Sequence, residues 1–534
     1  MKRNKEKLKE LIHYGVYIPR YSLIGLSIKY KGKRIELDET TEQMAIQFVK
    51  KFNTDYIKDD VFVKNFLSDF CRKLGVEETE KIEDFDWSEI ENYLEEVKRK
   101  KEVMTKEEKK IDREFRKKLR EKLKEKYGYA IVNGEKVPIM NWTVEPPSIF
   151  LSKGKNPLRG RWKEAVTRKD ITLNLSKIPK DLEEGWKEIV WKPNCMWIAS
   201  WRDPLSGKMK YVWLHPSSSL RQERAKKKWD QALELDKYLE KLEEHILKNL
   251  RSNDLERRKL ATVVYLIKKI GIRVGDEKIA GEHGTVGCTT LKEENIKIDL
   301  DNQKLILDFT GKDWVHWHRE VEVEYTDVLR NLQEFIKLAK GDFIFKGIDS
   351  DKVAKFLREV VPGISAKTFR TYLAGKTFER AQKTYEKLFP QKKEYVHKYR
   401  FKLINKEVAV KLNHKKKLPK NFEERLRKKE ERIKKYEEKL KELHLKMKEA
   451  KTEKKRERLR ERIRKTTEKL EKYKFDYEVT KETAEWNLNT SLNSYIDPRR
   501  VVAYAKKHNI DISLLYSKSL REKFSWAIND LSNQ

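Results

Sequence analysis

The chain has 534 residues, 123 of them Lys or Arg and 88 Asp or Glu, so a net charge of +35 stands on top of 40% charged residues. This length allows two to four domains with cores of their own, and the basic excess, which mixed Lys/Glu richness does not explain, points to a polyanion and first to nucleic acid. Cys71, Cys195 and Cys288 lie far apart without a CxxC pair, which excludes a zinc ribbon and a disulfide framework and fits a reducing compartment. No apolar run approaches the roughly 18 residues of a membrane span, and MKRNKEKLKELIHYG lacks the apolar core of a signal peptide, so a soluble intracellular protein is expected.

From about residue 12 to 215, short strand-like and helical runs alternate. YSLIGLSIKYKGKRIEL reads as a hairpin turning at Lys31-Gly32, while MAIQFVKKF and VFVKNFLSDF read as amphipathic helices. A charged helical stretch at 88–127 precedes YGYAIVNGEKVPIMNW, and VEPPSIFLSKGKNPLRGRW reads as a basic Pro/Gly loop suited to a phosphate backbone. WKEIVW and MWIASWRD have the alternating aromatics of exposed or half-buried strands. The pattern from about 220 to 295 is helical, including LATVVYLIKKIGIRVGDEK, and IKIDLDNQKLILDFTGK then reads as a strand pair around Asp301-Asn302. Helices are expected again from 327 to 390, followed by the strand-like EVAVKLN.

Phe422, Leu426, Ile433, Tyr436, Leu440, Leu443 and Met447 fall on alternating three- and four-residue steps, and the seam resumes at Leu459, Ile463, Leu470, Tyr473 and Tyr477. Two such helices around the polar KEAKTEKKRE form either an antiparallel hairpin or a dimerisation zipper. The last piece, 479–534, contains TSLNSYIDPRR, where Tyr495 stands among small polar residues.

Gly375-Lys376-Thr377 resembles the end of a P-loop, but position 370, where that motif needs glycine, is Arg, so an ATPase is not expected. His316 and His318 share a strand face without a third ligand of suitable spacing, so no metal site is expected.

A tyrosine with a pKa near 10 leaves only about one phenol in a thousand ionised at neutral pH. Attack on a phosphodiester therefore needs fixed cations, preferably the planar fork of Arg, and an acid for the leaving 5′ oxygen, but no metal if enough cations converge. Arg273 after the apolar run of IGIRVGDEK, Lys312 in FTGKDW, Arg370 in ISAKTFRTY and His414 in LNHKKKLPK are candidates. Each also reads as an ordinary solvated charge or structural histidine.

These segments, in order and from about residue 12 to 530, resemble the eukaryotic-type type IB DNA topoisomerases: VEPPSIF, KYVWLHPSS, IRVGDEKIAGEHGTVGC, DFTGKD, SAKTFRTY, NHKKKLPKNFE, and YIDPRR through REKFSWAI. The resemblance implies Tyr495 as nucleophile, forming a 3′-phosphotyrosine, with Arg273, Arg370 and His414 on the phosphate oxygens and Lys312 as general acid. It implies DNA contacts from Lys153, Lys210, Tyr211, Lys278, Thr285, Asp313, Ser365, Lys367 and Ser494. Supercoils of either sign would be relaxed by strand rotation, without ATP or an essential divalent metal, by a monomer on double-stranded DNA. The implied fold is a multidomain α+β clamp around DNA. It comprises a mixed α/β cap (1–215), a mainly helical, tyrosine-recombinase-like catalytic domain (216–420), an antiparallel coiled-coil linker (421–478) and a small helical C-terminal domain (479–534).

Three positions depart from the family: Ser494 replaces Asn, Ser491-Leu492 replaces Ser-Lys, and Lys153 replaces Arg. By the same resemblance, Ser494 and Lys153 imply weak sensitivity to camptothecin-type poisons, although Asp313 is retained. The family's charged N-terminal extension is missing, which suggests a minimal form, archaeal and acting on the nucleoid, where a eukaryotic source would imply the nucleus. A tyrosine recombinase and a non-catalytic DNA clamp are the rival readings; the first would lack the cap and linker, and the second would tolerate loss of Tyr495.

Overall fold

Lys31 and Gly32 take positive φ angles of 47° and 82°, the backbone twist that a two-residue hairpin turn requires. They join Ser27–Tyr30 to Lys33–Glu36 in antiparallel register. The hairpin belongs to a computed structural model that describes residues 8–152, 156–275, 286–311, 315–419 and 421–530. These residues form two compact units, one up to Arg221 and the other from Gln222 onward.

In the first unit, helices Glu39–Val49 and Asp60–Leu74 pack against the hairpin through an aromatic core in which the rings of Phe48 and Phe66 stack 3.9 Å apart. The charged stretch is two helices, Ser88–Val103 and Lys106–Tyr127, because Thr105 and Glu108 form a capping box that starts the second. A second core lines a seven-stranded sheet, in the order Leu11–Ile12, Tyr129–Val132, Glu135–Met140, Met209–Leu214, Trp197–Arg202, Thr172–Asn174 and Glu188–Val190. Trp197–Arg202 is more buried than its alternating aromatics suggest, with Trp197 through Trp201 all inside, because it is an interior strand flanked on both edges.

The second unit is built around Leu255–Ile270, a helix buried at every position from Leu260 to Ile267. Gly271, at φ 70°, ends it in a left-handed turn, and 271–275 is non-helical, so the expected helical pattern breaks here; of the described residues between 271 and 295, only the short 3-10 turns Cys288–Thr290 and Glu293–Asn295 are helical. The expected strand pair, Ile296–Asp299 and Lys304–Gly311, has a third partner, Val315–Glu322, whose Trp317 and Val321 turn inward. Helices Thr326–Ala339, Ser350–Arg358 and Ala366–Leu388 follow.

The strand-like EVAVKLN is instead the end of a helix, Glu394–Lys411, and its β-branched residues continue an apolar face begun by Val396, Leu403 and Ile404. Tertiary burial here outweighs local strand propensity. Phe422–Lys448 and Glu453–Glu482 then lie antiparallel within one chain. Tyr436 faces Tyr473 at 5.1 Å, Lys474 pairs with Glu437 at 2.6 Å, and Leu443, Ala450 and Leu459 cluster near the turn. At the open end of the pair, the Lys416 amide donates to Glu485 O (2.8 Å) and the Asn487 amide to His414 O (2.7 Å). The final helices share a core with Ala366–Leu388 and Glu394–Lys411. No described helix is long and apolar enough to cross a membrane.

Candidate active site

Tyr495 follows the short helix Leu488–Ser494, whose N-cap Asn487 accepts from the Thr490 amide. Asp497 caps the next helix, Pro498–Lys507, with proline in its first turn. The tyrosine thus occupies a short joint between two capped helices. The joint is gripped by ammonium groups at the carbonyls that a helix C-terminus leaves open. Lys228 Nζ donates to Ser494 O (2.6 Å), and Lys523 Nζ donates to both Asn493 O and Asn493 Oδ1 (2.6 Å each). On the other side, Arg499 binds Asp497 and reaches Asp230 at 2.7 Å.

Arg370 Nη1 donates to the phenol oxygen of Tyr495 at 2.8 Å, with the guanidinium carbon 4.8 Å from the ring centroid. Nη2 donates to Leu412 O at 2.7 Å, which fixes the fork. Arg370 Nε is buried and has no acceptor among the described residues. Burial pushes this guanidinium down from its ordinary value, while the Tyr495 oxygen beside it acts in the opposite direction. The His414 ring lies 5.0 Å from that of Tyr495, and its Nδ1 is bonded to Ser491 Oγ at 2.8 Å. Arg273 Nε and Nη2 donate to Val286 O, each at 3.3 Å. Arg273, Arg370, His414 and Tyr495 line one cleft of about 130 Å³, together with Gly311 and Asn487. An oxyanion entering it meets cationic and imidazole groups together with the Tyr495 phenol.

Lys228, next to Tyr495, is a second perturbed cation. Burial, reinforced by the charges of Lys367 and Lys523, lowers its ammonium to about 7, and Asp497 only partly opposes them.

Of the residues expected from sequence, Lys312, Asp313, Lys153, Lys278 and Thr285 lie outside the described residues. Ser365 is the N-cap of the Arg370 helix, and Lys367 is exposed one turn before Arg370. Ser494 contributes its carbonyl to the Lys228 contact. Lys210 and Tyr211 belong to the first unit, where Tyr211 is 43% exposed and lies 5.6 Å from the Trp213 ring. Sequence reasoning missed Lys228 and Lys523, and it noted Ser491 only as a family position. Ser491 stands one helical turn before Tyr495, a spacing that places both on one face; Lys228, within KKKW, carries no such mark.

Gly375-Lys376-Thr377 lies inside a helix, with Lys376 paired to Asp236 at 2.7 Å, so it forms no phosphate loop. His316 and His318 do have a carboxylate beside them, contrary to expectation: Asp308, on the neighbouring strand, is bonded to both at 2.7 and 3.1 Å. The cross-strand register that brings it there has no sequence signature. Among the described residues, no group of three or more His, Cys, Asp or Glu side chains is arranged to hold a metal ion.

Family models match the chain in three successive pieces. The DNA binding fragment of eukaryotic DNA topoisomerase I matches residues 6–214, its catalytic core 217–448, and the C-terminal topoisomerase domain 467–534. DNA topoisomerase 1 of Drosophila melanogaster is 33% identical over 549 residues, covering 98% of this chain and 54% of that protein. DNA topoisomerase 1 alpha of Arabidopsis thaliana is 35% identical, with 98% and 59% covered, and DNA topoisomerase 1 of Homo sapiens is 32% identical, with 98% and 71% covered. The chain therefore spans little more than half the length of the fly and plant proteins. Similarity that runs from the sheet of the first unit through the tyrosine-bearing helices, at about a third identity, leaves one conclusion: the chain belongs to the eukaryotic-type DNA topoisomerase I family.

Proposed function

We propose that the chain is a type IB DNA topoisomerase that relaxes positive and negative supercoils through a transient 3′-phosphotyrosine. The observation that carries this reading is the Tyr495 phenol held 2.8 Å from Arg370, whose Nε–H is buried without an acceptor among the described residues. A phosphate oxygen arriving in the cleft supplies that acceptor and meets Arg273 and His414 on the same walls. Tyr495 Oη bonds to phosphorus as the bond from phosphorus to the 5′ oxygen breaks. Arg370 stabilises the phenolate as the proton leaves to solvent, and the guanidinium groups offset the charge gathering on the equatorial oxygens. Lys312, assigned by family resemblance, gives its proton to the departing 5′ oxygen. Because the phosphotyrosine conserves the diester linkage, religation by the 5′ hydroxyl needs neither ATP nor an essential metal.

The partner in this reading is duplex DNA, contacted through its phosphates with little base specificity and held in a clamp of cap and catalytic domain by a monomer. The paired helices from 421 to 478 serve as a coiled-coil linker that returns the chain to the cleft. Incubation with positively and negatively supercoiled plasmid, in EDTA and without ATP, tests the proposal: the native chain relaxes both, and Tyr495→Phe relaxes neither. DNA binding without any change in linking number refutes it and leaves a DNA clamp. Exchange between specific sites instead marks a recombinase.

A further inference from the structure

Beside the catalytic cleft lies a second one, of about 370 Å³, lined by Lys269, Lys304, Arg319 and Lys411 with Ile270 and Val321. The two are neighbours in the chain: Gly271, Leu412 and Trp317 line the first, and Ile270, Lys411 and Arg319 the second. Glu320 and Glu322 also line the cleft; they are exposed on the strand face opposite Arg319 and Val321, and Lys304, directly across the strands from Glu322, shares that face at the edge of the cleft.

Part of this charge has a structural task. Lys411 Nζ donates to Lys269 O at 2.9 Å and Arg319 Nη1 to Ile270 O at 3.2 Å, satisfying the last carbonyls of Leu255–Ile270. Lys269 itself pairs with Glu324 at 2.6 Å. Capping uses one donor of the five on Arg319 and one of the three on Lys411, and neither cation forms an ion pair with a carboxylate among the described residues. Burial lowers the Arg319 guanidinium, and burial together with Arg319, Arg380 and Lys269 lowers the Lys411 ammonium to about 8. Half-buried like charges held together at this cost signal an anion that neutralises them when bound.

We propose that the cleft formed by Lys269, Lys304, Arg319 and Lys411 is a phosphate-binding site adjoining the catalytic cleft. Its ligand chemistry is a phosphate oxyanion that bridges Arg319 and Lys411, supplied either by a backbone phosphate of the duplex away from the cleaved linkage or by a free phosphate such as pyrophosphate. The inference goes beyond strand cleavage, since the site contains none of the residues given a chemical step.

The test uses the full chain and inorganic pyrophosphate, titrated calorimetrically at low ionic strength without DNA. One equivalent should bind, with affinity falling about tenfold or more in Arg319→Gln and in Lys411→Met, the loss expected for one charge-assisted hydrogen bond. Lys304→Gln, whose side chain caps no helix carbonyl, keeps the test open if those variants unfold, and it should also weaken binding. In a second arm, duplexes with single methylphosphonate substitutions are bound to native and Lys411→Met protein. A substitution that weakens native binding but not variant binding identifies the DNA backbone as the source, whereas dependence in the pyrophosphate arm alone identifies a free anion. If neither arm responds to these substitutions, the proposal is wrong and the cations are helix caps only. Neither arm measures relaxation, so a chain that binds pyrophosphate here but relaxes no plasmid overturns the topoisomerase reading alone.

Discussion

Replacing Lys228 by methionine should make the protein more stable at neutral and acidic pH while slowing strand cleavage. The ammonium is lowered from 10.5 to about 7 by burial and by Lys367 and Lys523. A lysine with a depressed folded pKa binds fewer protons folded than unfolded between those two values, so its burial penalty is fully present below pH 7 and disappears as pH rises towards 10.5. At about 1.4 kcal/mol per pH unit, the penalty is at most ~5 kcal/mol below pH 7. Loss of the charged hydrogen bond to Ser494 O offsets ~2 kcal/mol of the gain, so Lys228→Met should be more stable by about 2–3 kcal/mol at pH 6. The advantage should vanish near pH 10, where the remaining penalty of ~1 kcal/mol equals the neutral hydrogen bond that the deprotonated amine makes. Urea unfolding of native and variant chains at pH 6, 7.5, 9 and 10, followed by a probe in the second unit, measures the difference at each pH. Single-turnover cleavage of a nicked duplex should slow in the same variant, because Ser494 O loses its anchor next to Tyr495. A variant less stable than native at pH 6, or a stability difference flat from pH 6 to 10, would refute the reasoning.

Arg370→Lys keeps the charge but cannot hold Leu412 O and the phenol at once, so single-turnover cleavage should fall by about 10²–10³, with DNA affinity in a filter-binding assay changed far less. Ser491→Ala removes the partner of His414 Nδ1, and cleavage should slow by roughly five- to tenfold, the worth of one neutral hydrogen bond. Glu386 is lowered to about 2 by Lys507, Gln382 and His508, whose hydrogen bonds outweigh its burial. Its depressed value means that its stabilisation is fully present above about pH 4.5 and is lost as pH falls through 2. The melting temperature of Glu386→Gln should therefore lie below native at pH 7, and the gap should close progressively under acid.

Elements with a local signature were legible in the sequence: the Lys31-Gly32 hairpin, the helices of the 422–482 region, and the apolar helix before Arg273. What failed depended on partners distant in sequence. EVAVKLN has strand-like composition, and only the buried face it shares with Val396 and Leu403 makes it helical. The strand Val315–Glu322 becomes apparent only once Lys304–Gly311 lies beside it, and Asp308 meets His316 and His318 through the same register. Arg273, Arg370, His414 and Tyr495 came from ordered motifs, although composition gave no reason to place them in one cleft. Lys228 and Lys523 are anonymous within a chain of 123 basic residues, and only burial against the Asn493 and Ser494 carbonyls distinguishes them.

The paired helices between His414 and Tyr495 also have a mechanical consequence. The first, of 27 residues, is about 40 Å long at 1.5 Å per residue. Its base is bound through hydrogen bonds from Lys416 to Glu485 and from Asn487 to His414 O, only a few residues from the phenol. Sideways force at the far tip acts on a long lever arm and arrives at the base as torque, on the non-helical segment that carries His414 and the short helix that precedes Tyr495. A push far from the cleft can thus alter the angle between imidazole and phenol with no contact inside it, making the pair a strain gauge wired to His414 and Tyr495.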